Sequence, residues 1–167
     1  MRTEEEITEI YERHMKTVYR VCFAYMKNAA ETEDAVQETF FRLIRKDPRF
    51  ESAEHEKAWL IRTASNVCKN MLKHPSRRHD DIEDHAELQG ADRPETQRAD
   101  HPEVSDVLQA ITGLPNKYKT VIYLYYYEGY DSAQIAKLLQ KPNSTVRNYL
   151  REARLLLKER LGEEYEK

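Results

Sequence analysis

The sequence has little glycine, proline and cysteine, and it has no long hydrophobic run. Four glycines and six prolines in 167 residues leave few points at which helices must break, whereas Glu, Lys, Arg, Leu and Ala are plentiful. This composition predicts helices rather than strands. No apolar stretch approaches the roughly 18–20 residues that a membrane-spanning helix needs, and the acidic start of the chain is unlike a signal peptide. We therefore expect a cytoplasmic protein without membrane insertion.

Residues that could carry catalysis or bind a metal are also scarce. Cys22 and Cys68 fall within apolar helical patterns, so they are predicted to be buried free thiols in a reducing compartment. Four histidines lie in or beside the middle of the chain: His74, His79, His85 and His101. Their spacings fit no compact metal site, and no nucleophile–base pair or phosphate-binding loop is evident. We expect no enzyme, no catalytic residue, no cofactor and no metal.

A surplus of positive charge, which is usual in nucleic-acid-binding domains, is missing as well. The net charge of the chain is −3. The charges are nevertheless segregated, because residues 74–103 hold nine acids against four arginines, and residues 141–160 hold six bases against two acids. The end of the chain can therefore present a local basic face, on which phosphate affinity depends.

Apolar residues with helical spacing define a first block, residues 1–73. The first helix carries them at three- and four-residue steps: Ile7, Ile10, Tyr11, Met15, Val18, Val21, Cys22 and Tyr25. A second helix is predicted over about 32–46, ending before Pro48, and a third over about 54–73, with Ser52 as a possible N-cap.

A second block, residues 102–167, follows a segment that has no apolar period. This segment, residues 74–101, is predicted to be a flexible acidic linker. Short helices are expected before Gly113 and over 116–127. The sequence therefore predicts an all-α protein of two small helical domains joined by the linker.

The last part of the chain has the pattern of a helix-turn-helix. Asp131 and Gln134 are expected to form a reciprocal N-cap that opens the helix 135–139, and Asn143 is expected to cap the last helix, which runs to about Leu161. In this last helix four apolar residues share one face: Val146, Leu150, Ala153 and Leu157. Four cations repeat the same steps on another face: Arg147, Arg151, Arg154 and Lys158.

This segment has the layout of a DNA recognition unit: a short helix, a turn, and a second helix with an apolar and a cationic face. Ser144, Thr145, Arg147 and Asn148 would then meet base edges or phosphates at the start of the last helix. The alternative is a solvated surface helix, as many cationic stripes are. The two-helix context with its capping signals favours DNA binding.

The second helix has an apolar residue within its polar face. Its core stripe is predicted to consist of Val36, Phe40, Leu43 and Ile44, while Phe41 lies among charged residues on the other side. An aromatic residue with a charged rim is typical of a protein–protein contact. Packing of Phe41 on a neighbouring helix is equally compatible with the pattern.

The third helix combines an inward apolar stripe with outward basic and amide residues. The inward residues are Ile61, Ala64, Cys68 and Leu72. The outward residues are Arg62, Asn66, Lys69 and Lys73, with Trp59 near the start of the helix. Cations, amides and an aromatic ring suit a nucleic-acid strand, because unstacked bases can lie on aromatic rings. Alternatively, Trp59 is a core residue and the basic residues are solvated.

Four of these segments, in this order, resemble the bacterial sigma factors. Residues 33–43 (Glu-Asp-Ala-Val-Gln-Glu-Thr-Phe-Phe-Arg-Leu) are similar to the family's polymerase-binding helix, and residues 57–66 (Lys-Ala-Trp-Leu-Ile-Arg-Thr-Ala-Ser-Asn) to its minus-ten helix. Residues 114–122 with 135–139 resemble the entry to the last domain, and residues 145–148 with Ala153-Arg154 resemble the helix that reads the minus-thirty-five element. The short two-domain layout is similar to the extracytoplasmic-function (ECF) subclass.

The resemblance implies a role for each surface. The residues that would bind the clamp helices of core RNA polymerase are Asp34, Gln37, Glu38, Phe41 and Arg45. The residues that would hold the melted minus-ten strand and a flipped base are Arg49, Ser52, His55, Trp59, Arg62, Asn66, Lys69 and Lys73. The residues that would contact the minus-thirty-five element are Ser144, Thr145, Arg147, Asn148, Arg151, Arg154 and Lys158. The linker would thread toward the polymerase active-site channel, and an anti-sigma factor would cover the same surfaces.

The chain departs from the family pattern at Asn148 and Tyr149, which replace a small and a basic residue. The resemblance therefore does not predict which bases are read. The sequence pattern does not indicate a function for the closely spaced tyrosines of residues 123–130. Two other functions remain as alternatives. The first is a one-domain regulator with a ligand pocket in residues 1–73, but the polar face around Phe41 argues against it. The second is an adaptor such as an anti-sigma protein, which would not need the cationic stripe.

Overall fold

The structure is a computed structural model that describes residues 1–74 and 104–161; residue 161 is described by its backbone only. Within these ranges the chain is helical and contains no strand, as the sequence predicts. The chain divides into two compact units at Ser105. Residues 75–101 of the predicted linker, with His79, His85 and His101, lie outside the described residues.

The described part of the first unit contains three helices that pack on one another: α1 (Glu4–Met26), α2 (Ala29–Lys46) and α3 (Ala53–Lys73). Each helix begins at a capping side chain. Thr3 and Glu6 form a capping box on α1, and Ser52 caps α3 as predicted. Helix α2 begins three residues earlier than expected, because the Asn28 side chain accepts a hydrogen bond of 2.9 Å from the Glu31 amide.

The core of the first unit lies between these helices. Its largest fully buried side chains include Phe23, Leu43 and Leu60. Cys22 and Cys68 are buried and unbridged, as predicted, and the Cys68 thiol lies 4.0 Å from the Cys22 carbonyl oxygen. Burial raises the pKa of the Cys22 thiol well above its ordinary value, and a hydrogen bond with Cys68 adds to the effect.

A buried carboxylate, which the sequence pattern does not indicate, ties α1 to α3. Glu56 accepts hydrogen bonds of 3.1 and 3.2 Å from the Arg13 guanidinium, and His14 Nε2 lies 2.9 Å from the same carboxylate. Both His14 and Glu56 are buried. A buried charge of this kind is tolerated because it is paired and hydrogen-bonded. The cluster therefore holds the first turns of α3 against α1.

Up to residue 161, the second unit contains four helices: α4 (Asp106–Ile111), α5 (Asn116–Tyr126), α6 (Ser132–Leu139) and α7 (Asn143–Leu161). Its core includes Ile111, Ile122, Leu124 and Ile135, all fully buried. The chain turns between α5 and α6 at Gly129, whose φ of +72° favours glycine.

The boundaries around the helix-turn-helix differ in detail from the predicted ones. Helix α6 begins at Ser132 rather than Ile135, because its first turn is stabilised by the Asp131 cap. Helix α7 already includes Asn143, and the Pro142 carbonyl accepts the first helical hydrogen bond, from the Val146 amide at 3.2 Å. The prediction that Asn143 caps α7 is therefore wrong, since Pro142 occupies the position before the helix.

Candidate DNA and protein interfaces

Helix α7 presents most of its predicted DNA-binding residues to solvent. The apolar stripe is buried: Val146, Leu150, Ala153 and Leu157. The exposed residues are Ser144, Arg147, Asn148, Arg151, Arg154 and Lys158. Thr145 is half-buried. The two faces predicted from the spacing are thus both present on one helix.

Local hydrogen bonds hold both ends of α6, including the turn that leads into α7. The Asp131 carboxylate accepts from the Gln134 amide at 2.8 Å, and the Gln134 side chain accepts from the Asp131 amide at 2.9 Å. Gln140 ends α6 in the left-handed region, at a φ of 57°, and the Lys141 amide donates to the Ala136 carbonyl at 3.0 Å. The Asp131–Gln134 pair therefore holds the start of α6, while Gln140 and the Lys141–Ala136 hydrogen bond shape the turn that leads into α7.

The cations of α7 lie to one side of its outermost face. With about 100° between successive residues, the cationic stripe lies about 100° from the apolar stripe. Ser144, Asn148 and Leu155 lie opposite the buried stripe and are all exposed. The Arg151 guanidinium donates a 2.6 Å hydrogen bond to the Asn148 side-chain oxygen, so the outer face and the stripe are connected.

The cationic stripe forms one wall of a groove of about 550 Å³. The opposite wall includes Val107, Tyr125 and Tyr126, and the Arg154 guanidinium lies 5.3 Å from the centre of the Tyr125 ring. Leu155 beside it is 55% exposed. Sequence reasoning missed this groove, because it is formed by helices that are distant in the sequence.

The unexplained tyrosines have different surroundings. Tyr123 is fully buried and donates a hydrogen bond of 2.9 Å to Glu128, while Tyr125 contacts Arg154. Tyr149, one of the two departures from the family pattern, is half-buried with its ring centre 5.4 Å from that of Tyr118. Tyr149 therefore packs α7 onto α5.

Helix α2 presents an apolar centre to solvent. Phe41 is 54% exposed, so the alternative that it packs on a neighbouring helix is wrong. Ile44 is 41% exposed, which corrects its predicted place in the core stripe. Helices α1 and α3 cover Val36, Phe40 and Leu43 but not Ile44. Ile44 lies beside Phe41, because residues three apart on a helix are neighbours.

Charged and polar residues surround this apolar centre. Asp34, Gln37 and Arg45 are exposed and Glu38 is half-buried. Glu38 accepts hydrogen bonds from Arg45 at 3.1 Å and from Arg42 at 3.2 Å. The hydrogen bond from Arg45, aided by Arg42, lowers the pKa of the Glu38 carboxyl against a small desolvation effect. The α2 surface thus combines an apolar centre with a charged rim.

Two of the predicted minus-ten residues already make hydrogen bonds within the chain. The Ser52 hydroxyl accepts from the His55 amide at 3.1 Å, and His55 Nδ1 accepts from the Glu51 amide at 3.1 Å. Since Nδ1 is an acceptor, the remaining ring proton of a neutral His55 lies on Nε2, where it can donate outward. Arg49 nearby is exposed.

The ring of Phe50 joins the other aromatic residues of this region. Its centre lies 5.4 Å from His55 and 5.9 Å from Trp59, both in edge-to-face geometry. Trp59 is half-buried, so it is not a core residue. We call Phe50, His55 and Trp59 the aromatic cluster. Sequence reasoning singled out two of its members but did not indicate that Phe50 links them.

The outward residues of α3 continue from the aromatic cluster along the helix. Asn66 and Lys73 are exposed, whereas Arg62 and Lys69 are half-buried. Leu72, expected to face inward, is half-buried too. In the described part of the chain no group of three His, Cys, Asp or Glu side chains could hold a metal ion. None of the helices described here is long and apolar enough to cross a bilayer.

The first unit has an exposed apolar surface and an aromatic–basic face, and the second unit has a helix-turn-helix. These features define a protein that binds DNA together with a protein partner. Two family models match the chain: sigma-70 region 2 over residues 10–78 and sigma-70 region 4 over residues 105–157. The chain therefore has the two regions in the order predicted from its motifs.

Known proteins resemble the chain over most of its length. The ECF RNA polymerase sigma-E factor of Haemophilus influenzae is 30% identical over 138 residues, covering 77% of this chain and 73% of the relative. The sigma factor SigV of Bacillus subtilis is 28% identical, covering 90% and 88%. The sigma factor RpoE of Bartonella quintana, solved in complex with the anti-sigma factor NepR, has the same fold, with a TM-score of 0.66, 19% identity and coverage of 94% and 97%.

The chain belongs to the sigma-70 family and to its ECF subclass. It is a transcription initiation factor, which binds core RNA polymerase and promoter DNA.

Proposed function

We propose that the α2 surface around Phe41 is the contact with the polymerase clamp helices. The observation that supports it is the exposure of Phe41 and Ile44 within a charged rim, because a desolvated apolar anchor contributes most of the affinity at such interfaces. Asp34, Gln37 and the Glu38–Arg45 pair form this rim. Residues 1–73 would then be the domain that binds both polymerase and the minus-ten element.

We propose further that the aromatic cluster and α3 hold the melted minus-ten strand. The arrangement supports this role, because aromatic rings accept unstacked bases and the neighbouring cations attract phosphate. Trp59 and the Nε2 donor of His55 would contact bases, while Arg49, Arg62, Asn66, Lys69 and Lys73 would follow the backbone. Ser52 acts indirectly, since its hydroxyl caps α3.

For the minus-thirty-five element, we infer that different residues of α7 contact bases and phosphates. Ser144 and Asn148 on the outer face, with Arg151 bonded to Asn148, would meet base edges, and Arg147, Arg154 and Lys158 of the neighbouring stripe would meet phosphates. The half-buried Thr145 would contact the same element from the start of the helix. Residues 102–167 would form this domain. The role of residues 74–101 as a linker toward the polymerase channel stays a proposal.

We also propose that an anti-sigma factor controls the protein. The RpoE structure from Bartonella quintana contains such a partner, and the exposed apolar residues of α2 and α7 are surfaces that a partner of this kind could cover. The activity proposed is binding rather than catalysis, and it takes place in the cytoplasm with the polymerase.

Transcription in vitro tests whether the chain directs core polymerase to specific promoters. Core polymerase from the host, with and without the chain, is incubated with host genomic DNA, and the 5′ ends of the transcripts are sequenced. We expect new start sites that share a bipartite promoter. If the chain adds no start site to those of core polymerase alone, the assignment of function is refuted.

Phe41→Ala tests the polymerase surface. Removal of an aromatic anchor at an interface costs about 2 kcal/mol or more, so affinity for core polymerase should fall about 30-fold or more. Fluorescence anisotropy of the labelled chain measures this affinity. Tyr126→Ala, which removes a similarly exposed aromatic residue from the second unit, is the matched control and should bind normally. Equal affinity of wild type and Phe41→Ala would contradict the interface.

A further inference from the structure

The aromatic cluster is braced by a residue from the start of the chain. The Arg2 guanidinium lies 4.9 Å from the centre of the Phe50 ring, which is cation–π geometry. The same guanidinium donates a 3.0 Å hydrogen bond to Asp47, 45 positions away in the sequence. Only 13% of the Arg2 side chain is exposed. Arg2 is thus held between a carboxylate and an aromatic ring.

Asp47 is built into the turn that leads to the aromatic cluster. It ends α2 in the left-handed region, at a φ of 47°. Partial desolvation raises the pKa of its carboxyl, but the charges of the Met1 amino group, Arg49 and Arg2 outweigh this effect and leave the pKa below its ordinary value. Asp47 is therefore a charged anchor for Arg2 at neutral pH.

We propose that Arg2 is a positioning residue for the minus-ten strand: anchored by Asp47, its guanidinium fixes the ring of Phe50 and, through it, the aromatic cluster. This inference rests on the proposed function of the cluster. Because Phe50 contacts both His55 and Trp59, one braced ring orients the two side chains that meet bases. Arg2 would itself make no phosphate contact, since its guanidinium is already paired with Asp47.

The test measures binding of the holoenzyme to a labelled single-stranded oligonucleotide that carries the minus-ten element of a promoter identified by transcription. Arg2→Ala should weaken this binding about 3- to 10-fold, a part of what loss of base–aromatic stacking causes. Asp47→Asn should have the same effect, because Asn tolerates the left-handed turn but does not provide the charge. In a Phe50→Ala background, Arg2→Ala should have no further effect.

Salt dependence separates positioning from direct contact. A lost phosphate contact lowers the slope of log affinity against log salt by about 0.7 for a single strand, whereas a positioning role leaves the slope unchanged. Lys46→Ala, which removes an exposed cation beside Asp47, is the charge control and should leave affinity unchanged. Urea unfolding, followed by Trp59 fluorescence, confirms that the variants are folded under assay conditions.

The outcomes distinguish this inference from the proposed function. If Arg2→Ala lowers the salt slope, or leaves affinity unchanged while Trp59→Ala reduces it, the positioning role is overturned and the strand-binding function stands. If the wild-type holoenzyme does not bind the oligonucleotide at all, the proposed function of the cluster fails.

Discussion

Single residues show how the same local pattern leads to different roles. Phe40 and Phe41 are neighbours on α2, yet Phe40 is buried and Phe41 is exposed. Cys22 and Glu56 are both buried, but Cys22 is stable there as a neutral thiol, whereas Glu56 depends on Arg13 and His14. Burial alone therefore does not define a residue's role, and its partners decide the consequence of a substitution.

Glu56→Gln should destabilise the first unit. The substitution leaves His14 and Arg13 without their charged acceptor, and breaking a buried pair costs 3–5 kcal/mol, reduced here to about 2–3 kcal/mol because Arg13 is half-exposed. Urea unfolding followed by the fluorescence of Trp59, the chain's single tryptophan, measures the change. Glu54→Gln, an exposed position on the same turn of α3, is the control and should change stability by less than about 0.5 kcal/mol.

The buried thiol predicts a dependence of stability on alkaline pH. Burial raises the pKa of Cys22 in the folded state, so above about pH 8.5 the unfolded chain loses this proton first. The contribution is fully present below that pH and is lost as pH rises toward the folded-state pKa. Urea midpoints at pH 7 and 9.5 should therefore differ less in Cys22→Ala than in wild type. Equal pH differences would contradict this reasoning.

At the scale of elements, capping determines where the helices begin. The side chains of Thr3, Asn28, Ser52 and Asp131 each accept a hydrogen bond from an amide of the first helical turn. Such patterns are local, and two of these four N-caps, Ser52 and Asp131, were predicted from the sequence. Thr3 and Asn28 were missed, and Asn28 is followed by two alanines that continue the helix without an apolar period.

Asp131→Ala should loosen α6 and weaken promoter binding. Loss of an N-cap costs about 1 kcal/mol, and this loss falls on the helix that positions α7. Amide hydrogen exchange of α6 should accelerate about five-fold, and holoenzyme affinity for minus-thirty-five duplex DNA should fall. Asp131→Asn keeps a good N-cap and serves as the control. The same loss of affinity in both variants would point to a direct contact of the carboxylate instead.

For the molecule as a whole, charge distribution matters more than net charge. The cations of α7 and the α3 face are local features of a chain whose net charge is −3. Each unit has its own core, and each matches its own family model, so the two proposed DNA contacts would be carried by separate units of one chain. Each proposed contact presents only a few cations, so each alone would neutralise few phosphates.

The free chain should therefore bind promoter DNA weakly, and core polymerase should increase its affinity by at least about 100-fold through simultaneous engagement of both units. Anisotropy of labelled promoter DNA, measured with and without core polymerase at one fixed salt concentration, tests this. Core polymerase with an unrelated sigma factor is the control. Tight, specific binding by the chain alone would contradict the expected dependence on core polymerase.

The sequence by itself determined the helices, their order and the two faces of α7, because each depends on residues within a few turns of one another. It also determined the family, whose motifs are contiguous segments. Only the tertiary structure decided that Ile44 is exposed, that Glu56 pairs with His14 and that the Arg2 guanidinium lies over the Phe50 ring. These features join residues more than 40 positions apart or depend on which face a neighbouring helix covers, and helical periodicity carries no information about either.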